Sequence, residues 1–145
     1  MKFFIINGPN LNMLGIREPQ KYGTATYTQL VDSLHTYAGE RGVTLECFQS
    51  NHEGELVDCI QRAYFEGADG IVLNPGAYTH TSIALLDAVL AVALPTVEVH
   101  ITDPSAREEF RRISYVRSAC IKTICGHGLA GYTEALDSLI ERCAR

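Results

Sequence analysis

Five short apolar runs alternate with helix-like segments along almost the whole of this 145-residue chain. The runs are residues 2–6 (KFFII), 43–49 (VTLECFQ), 70–74 (GIVLN), 96–100 (TVEVH) and 119–125 (ACIKTIC). A strand inside a parallel sheet is covered on both faces, so it reads as a continuous apolar run rather than a polar/apolar alternation. Helical spacing fills the gaps. Thr26 and Gln29 form a capping box ahead of Leu30, Leu34, Tyr37 and Ala38, a pattern that runs to Gly42. Asn51 is placed to cap a helix over residues 53–66, with Leu56, Ile60, Ala63 and Tyr64 on one face and Gly67 at its end. Residues 82–93 read as a third helix, stopped by Pro95, and Asp103-Pro104 opens a short helix through Arg111. Residues 132–144 read as the last helix. The pattern specifies an α/β fold, a parallel sheet with helices on both faces.

In such a sheet, ligands bind outside the carboxyl ends of the strands, near the point where strand order reverses. The unusual polar residues fall there: residues 7–10 (NGPN) after the first strand, 74–80 after the third, and 98–103 at the end of the fourth. The length fits one catalytic domain over residues 1–145 and excludes a TIM barrel, which needs roughly 250 residues. Twelve Lys+Arg against 17 Asp+Glu give a net charge of −5, with no basic stripe for nucleic acid. A small anion held by a few arginines remains compatible with that balance. The longest apolar stretch, residues 83–97, is broken by Asp87 and Pro95 and falls short of the ~20 residues of a membrane span. Met1-Lys2 runs straight into the first strand with no targeting pattern. The five cysteines contain no C-x-x-C pair and read as reduced, apolar-flanked thiols, which places the expectation in the cytoplasm.

Glu98 and His100 stand two apart at a strand end, so their side chains leave the same face. A carboxylate beside an imidazole fixes its tautomer and favours its charged form, which suits a general acid; a purely structural Glu–His pair fits the same spacing. His80, in the loop NPGAYTHT, lies on the same edge. A zinc site built from His80, Glu98 and His100 is the sharper competitor. Neither H-E-x-x-H nor C-x-x-C spacing is present, and no metal is expected. His35 and His52 read as surface residues, and His127 has no partner in sequence. The stretch after the first strand is long for a connection and holds Arg17, Glu18, Lys21 and Tyr22. Loops this long in a small domain are commonly functional lids. A phenol with the ordinary pKa of ~10 is ionised in about one molecule in a thousand at pH 7, and an arginine ~4 Å away favours the phenolate by up to ~4 kcal/mol. Tyr22 near Arg17 is therefore a candidate base, and a loop-anchoring aromatic otherwise. Asn7-Gly8-Pro9-Asn10 also admits a phosphate or flavin loop, although G-x-G-x-x-G and G-x-x-x-x-G-K-[ST] are absent. A flavin- or nucleotide-binding module is thus the alternative. Arg107, Arg111 and Arg112 in SAREEFRR suit bidentate carboxylate binding, or a solvated face ion-paired with Glu108 and Glu109.

Taken in order, these segments resemble the type II 3-dehydroquinases (3-dehydroquinate dehydratases). The resemblance is carried by residues 7–11 (NGPNL), 15–19 (GIREP) with Tyr22-Gly23, 49–55 (QSNHEGE), 74–82 (NPGAYTHTS), 98–100 (EVH) and 106–115 (AREEFRRISY), which span essentially the whole chain. It implies a flavodoxin-like five-stranded parallel sheet and a hydro-lyase of the shikimate pathway that needs no cofactor. The implied reaction is anti elimination of water from 3-dehydroquinate, giving 3-dehydroshikimate through an enolate. Tyr22 falls at the family's base, Arg17 at the lid arginine that keeps it ionised, and Asn10 at the residue that stabilises the enolate through a water molecule. His100 falls at the acid, oriented by Glu98. Asn74, His80, Ile101, Thr102 and Arg111 match substrate-binding positions. Asp87 matches a residue that reaches the site from a neighbouring subunit, and the family assembles as a dodecamer of trimers. One departure is visible: Thr102-Asp103 stands where the family usually reads Ser-Asn. Thr102 keeps the hydroxyl, and Asp103 is expected to act as a helix cap.

Overall fold

The apolar runs become the five strands of one sheet in a computed structural model that describes residues 1–145. In chain order the elements are β1 (Lys2–Asn7), α1 (Pro19–Tyr22), α2 (Tyr27–Glu40), β2 (Thr44–Gln49), α3 (Glu53–Phe65), β3 (Gly70–Asn74), α4 (Ile83–Val92), β4 (Thr96–His100), β5 (Lys122–Cys125) and α5 (Ala130–Cys143). All neighbouring strands are parallel, in the order β2-β1-β3-β4-β5, so strand order reverses between β1 and β3. This is the flavodoxin-like arrangement.

Alternate residues of each strand feed two separate cores. Phe3, Ile5, Val97 and Val99 pack under α2 and α5, whereas Phe4, Ile6, Ile71 and Leu73 pack under α3 and α4. Both faces are apolar, so hydrophobicity alone does not distinguish a strand from one slipped by a residue. The polar carboxyl ends do. Asn7 lies opposite Asn74 across β1 and β3, and Leu73 opposite Glu98 across β3 and β4. Glu98 and His100 leave β4 on the side opposite Val97 and Val99, as their two-residue spacing requires.

The expected capping box holds in detail, and a second helix start is capped as well. The Thr26 hydroxyl accepts from the Gln29 N–H at 3.1 Å while the Gln29 side chain accepts from the Thr26 N–H at 2.9 Å. Ser82 caps α4, accepting from the Leu85 N–H. Other expectations are corrected. Asn51 does not cap α3. Its Oδ1 accepts from the Asn10 N–H and from Gln49, and Ser50 makes the turn by accepting from the His52 N–H. The helix expected from Pro104 through Arg111 is two 3-10 turns, Pro104–Ala106 and Glu109–Arg111, separated by extended backbone at Arg107 and Glu108. The fifth strand is shorter than expected, because residues 116–119 form a 3-10 turn against α4 and only Lys122–Cys125 join the ladder. No helix is long and apolar enough to cross a membrane.

Candidate active site

The reversal between β1 and β3 leaves a gap at their carboxyl ends, and the loops there approach backbone to backbone. A Cβ at Gly8 would sit 2.4 Å from the Pro75 carbonyl oxygen, so no side chain fits. Gly76, at φ +57°, faces the Pro9 carbonyl in the same way. Above this seam opens a cavity of roughly 640 Å³, its mouth included. Nine of the eleven residues singled out from the sequence line it: Asn10, Arg17, Tyr22, Asn74, His80, His100, Ile101, Thr102 and Arg111. Glu98 stands one layer behind His100. Asp87 is exposed on α4 and lies outside the cavity.

One wall is cationic. The Arg17 guanidinium stacks over the Tyr22 ring, 4.8 Å from its centroid. Arg107 donates from Nη1 to the Tyr22 hydroxyl at 3.3 Å. The structure therefore adds Arg107 as a second cation on this phenol, where the sequence singled out Arg17. Its only signal was its place in SAREEFRR near the ligand edge. The positive charge faces the cavity while the compensating carboxylates stay outside it. Glu18 pairs with Lys21 and Arg17, and Glu108 with Arg111. The Glu18 carboxyl is held below the usual range chiefly by Lys21, and that of Glu108 by its own backbone N–H and then Arg111.

The second wall carries a buried acid–imidazole pair. Glu98 is wholly inaccessible, and its Oε1 lies 2.7 Å from His100 Nε2. Thr79 and Ser114 hydroxyls also reach Oε1, while Thr123 and the Arg117 guanidinium approach Oε2. Burial on its own raises this carboxyl. The pair with His100 and the converging hydroxyls outweigh it, and the group is held down at about 2. Glu98 is thus an anion at neutral pH, and it turns His100 Nε2 into a donor and leaves Nδ1 as the ring's other polar atom. His80 is fixed similarly, with Nδ1 2.6 Å from the Ile113 carbonyl, which only accepts. Nδ1 therefore carries a proton and Nε2 is the free end.

Asp103 acts as the expected cap: its Oδ1 accepts from the Ser105 hydroxyl at 2.7 Å and the Ser105 N–H at 2.9 Å, contacts that lower its carboxyl. No three His, Cys, Asp or Glu side chains gather as a metal site. A seam of glycines at the strand reversal, beneath one cavity with a phenol between two guanidiniums and a carboxylate-backed imidazole, is a specific arrangement. The class II dehydroquinase family profile covers residues 1–140.

The chain belongs to the class II dehydroquinase family. The 3-dehydroquinate dehydratase of Caldicellulosiruptor bescii is 53% identical over 140 residues, 97% of each chain. That of Thioalkalivibrio sulfidiphilus is 53% identical over 139 residues, 96% of this chain and 95% of that one. Among solved structures, the type II dehydroquinase of Butyrivibrio crossotus superposes with a TM-score of 0.95 at 51% identity over 97% of both chains. The enzyme from Propionibacterium acnes gives 0.91 at 38% identity, over 99% of this chain and 97% of that one. Membership in the dehydroquinase family displaces the flavin- or nucleotide-binding reading of the first loop.

Proposed function

We propose that this dehydroquinase removes water from 3-dehydroquinate by anti elimination, giving 3-dehydroshikimate in the shikimate pathway. One observation carries the mechanism: Tyr22, held by Arg17 and Arg107, and the His100–Glu98 pair line a single cavity. Both guanidiniums stabilise negative charge on the Tyr22 oxygen, so the phenolate takes the proton alpha to the ketone. The C–H electron pair moves into an enolate, which Asn10 stabilises through a water molecule. As the enolate collapses, the C–O bond breaks and His100 gives its proton to the departing hydroxyl, which leaves as water. Glu98 neutralises the imidazolium before that transfer and orients it throughout. The proton on Tyr22 then returns to His100 through solvent, closing the cycle.

Arg111 suits the substrate carboxylate, and Asn74, His80, Thr102 and the Ile101 backbone suit its hydroxyls. Exposed Asp87 is outside its own cavity and serves a neighbouring subunit in a homo-oligomer, a dodecamer built from trimers. The five unpaired thiols fit a reducing cytoplasm. The test is the absorbance of the conjugated enone formed on adding 3-dehydroquinate. Folded protein that gives no signal overturns the assignment. Near-normal turnover by Tyr22→Phe overturns the base.

A further inference from the structure

Directly beneath the cavity, the carboxyl ends of β1 and β3 meet a tyrosine that comes from α5, a helix with no other part in the site. Tyr132 is fully inaccessible. Its hydroxyl lies 2.6 Å from Asn7 Oδ1 and 2.8 Å from Asn74 Nδ2. Asn74 Oδ1 in turn accepts from the Gly76 backbone N–H at 3.1 Å. Asn7 and Asn74 are register partners at the strand reversal. Asn74 lines the cavity, whereas Asn7 and Tyr132 do not.

The two ends of an asparagine amide are nearly the same size, so packing does not choose between them; hydrogen bonds do. A backbone N–H only donates, so Gly76 requires the oxygen of Asn74 on its side. The Asn74 amide nitrogen then faces Tyr132, whose oxygen must accept. The phenol has a single proton, and that proton must go to Asn7, so the Asn7 oxygen faces the tyrosine. Every direction in the chain follows from the first. It also explains the one buried side-chain atom without a partner, Asn7 Nδ2. The Asn7 amide is turned by the chain, and its nitrogen is left on the side away from Tyr132, without a hydrogen bond. Burial pushes the Tyr132 phenol upward, so it keeps the proton the chain needs.

We propose that Tyr132 is a positioning residue for substrate binding: its buried hydroxyl locks the Asn74 amide so that Asn74 meets the ligand as an N–H donor. The assignment deepens the dehydratase reading and rests on it for the identity of the ligand. The atom opposite Asn74 is a hydrogen-bond acceptor, a hydroxyl oxygen or carboxylate of the substrate. In Tyr132→Phe the amide loses its acceptor and Asn7 loses its donor, while the ring still fills the core.

The experiment is a double-mutant cycle on the full chain with 3-dehydroquinate, using Tyr132→Phe, Asn74→Ala and the double variant. Tyr132→Phe should raise KM about fivefold with kcat within about twofold, the size of one lost hydrogen bond to a neutral partner. In the Asn74→Ala background the same change should leave KM unaltered, because the group Tyr132 acts through is gone. Equal effects of Tyr132→Phe in both backgrounds, or a lower melting temperature with unchanged KM, overturn the proposal. A second readout does not need turnover. In protein labelled with 15N-asparagine, the Asn74 side-chain NH2 signals, assigned by their loss in Asn74→Ala, should exchange with solvent at least tenfold faster in Tyr132→Phe. Unchanged exchange overturns the positioning role. Absence of turnover in the unsubstituted protein would instead remove the dehydratase reading and leave this exchange test standing.

Discussion

Replacing Glu98 by Gln tests the charge behind His100 without changing its shape. In the native site one carboxylate oxygen takes contacts from His100, Thr79 and Ser114, and the other from Thr123 and Arg117. A glutamine cannot satisfy both sides, because its NH2 must face either a set of hydroxyls and the imidazole or a guanidinium. The carboxyl is held down from 4.5 to about 2, which corresponds to about 3 kcal/mol of pH-dependent stability. A carboxyl lowered on folding stabilises the native state above its unfolded value. That contribution is lost as pH falls through the folded value, here between about 4.5 and about 2. Glutamine does not titrate. Between about pH 6 and pH 3 the stability gap between the native protein and Glu98→Gln should therefore narrow by about 2 kcal/mol. Urea unfolding followed by circular dichroism, at one protein concentration and matched ionic strength, measures the gap. Taking the difference between the two proteins below pH 6 removes the titration of the other carboxylates, which they share. A gap that stays constant down to pH 3 would refute the ion-pair account of Glu98. The same variant should lose about 10²- to 10⁴-fold in kcat, as removal of a general acid's partner predicts.

Arg107→Ala removes the cation that touches the Tyr22 hydroxyl and should lower kcat about tenfold to a hundredfold, with Arg107→Lys intermediate; an unchanged kcat in steady-state assays would leave Arg17 as the sole cation acting on Tyr22. Asp103→Asn keeps a capping oxygen for Ser105 and should leave KM within about twofold, whereas a large fall in KM would mean that the Asp103 charge opposes substrate. None of the three lysines lines the cavity, and Lys2 and Lys21 are engaged by Glu66 and Glu18. Borohydride added with substrate should therefore leave activity intact, and inactivation would point to a Schiff base.

The parallel sheet was legible because strands covered on both faces leave continuous apolar runs, and because α2 begins at a capping box whose bonds are local. Where a residue's partner is distant, the reading failed. Asn51 looks like a helix cap from its neighbours, but a better use for its oxygen arises only when the first loop folds over it. The run ACIKTIC looks like a strand throughout. Its first residues end a 3-10 turn instead, with the Cys120 Sγ on the Val116 carbonyl, since an apolar run does not distinguish a ladder from a packed turn. The site edge followed from the strand ends alone. The Arg107–Tyr22 contact links residues 85 apart and depends on the extended break at Arg107 and Glu108, which no periodicity reveals. In the sequence Tyr132 does no more than open the last helix, because its ring packs in the core and only its hydroxyl enters the polar chain.

The acidic chain and its anionic substrate pose a conflict that the layering of charges answers. A carboxylate exposed in the cavity about 6 Å from a substrate anion would oppose binding by about 3 kcal/mol at an effective dielectric of ~20. No aspartate or glutamate lines the cavity, while three arginines do. Yet an imidazole proposed as a proton donor needs a partner that fixes its ring and tautomer. Glu98 meets both demands from behind His100. Its charge lies against the imidazole, where the pair interaction is strongest, and the ring stands between it and the cavity. Moving that carboxylate one layer forward would strengthen nothing on His100 and would weaken the hold of Arg111 on an anionic ligand. On the proposed mechanism, the fully inaccessible position of Glu98 is therefore a requirement of binding an anion next to an acid catalyst, and β4 supplies it by turning Glu98 inward two residues before His100 reaches the rim.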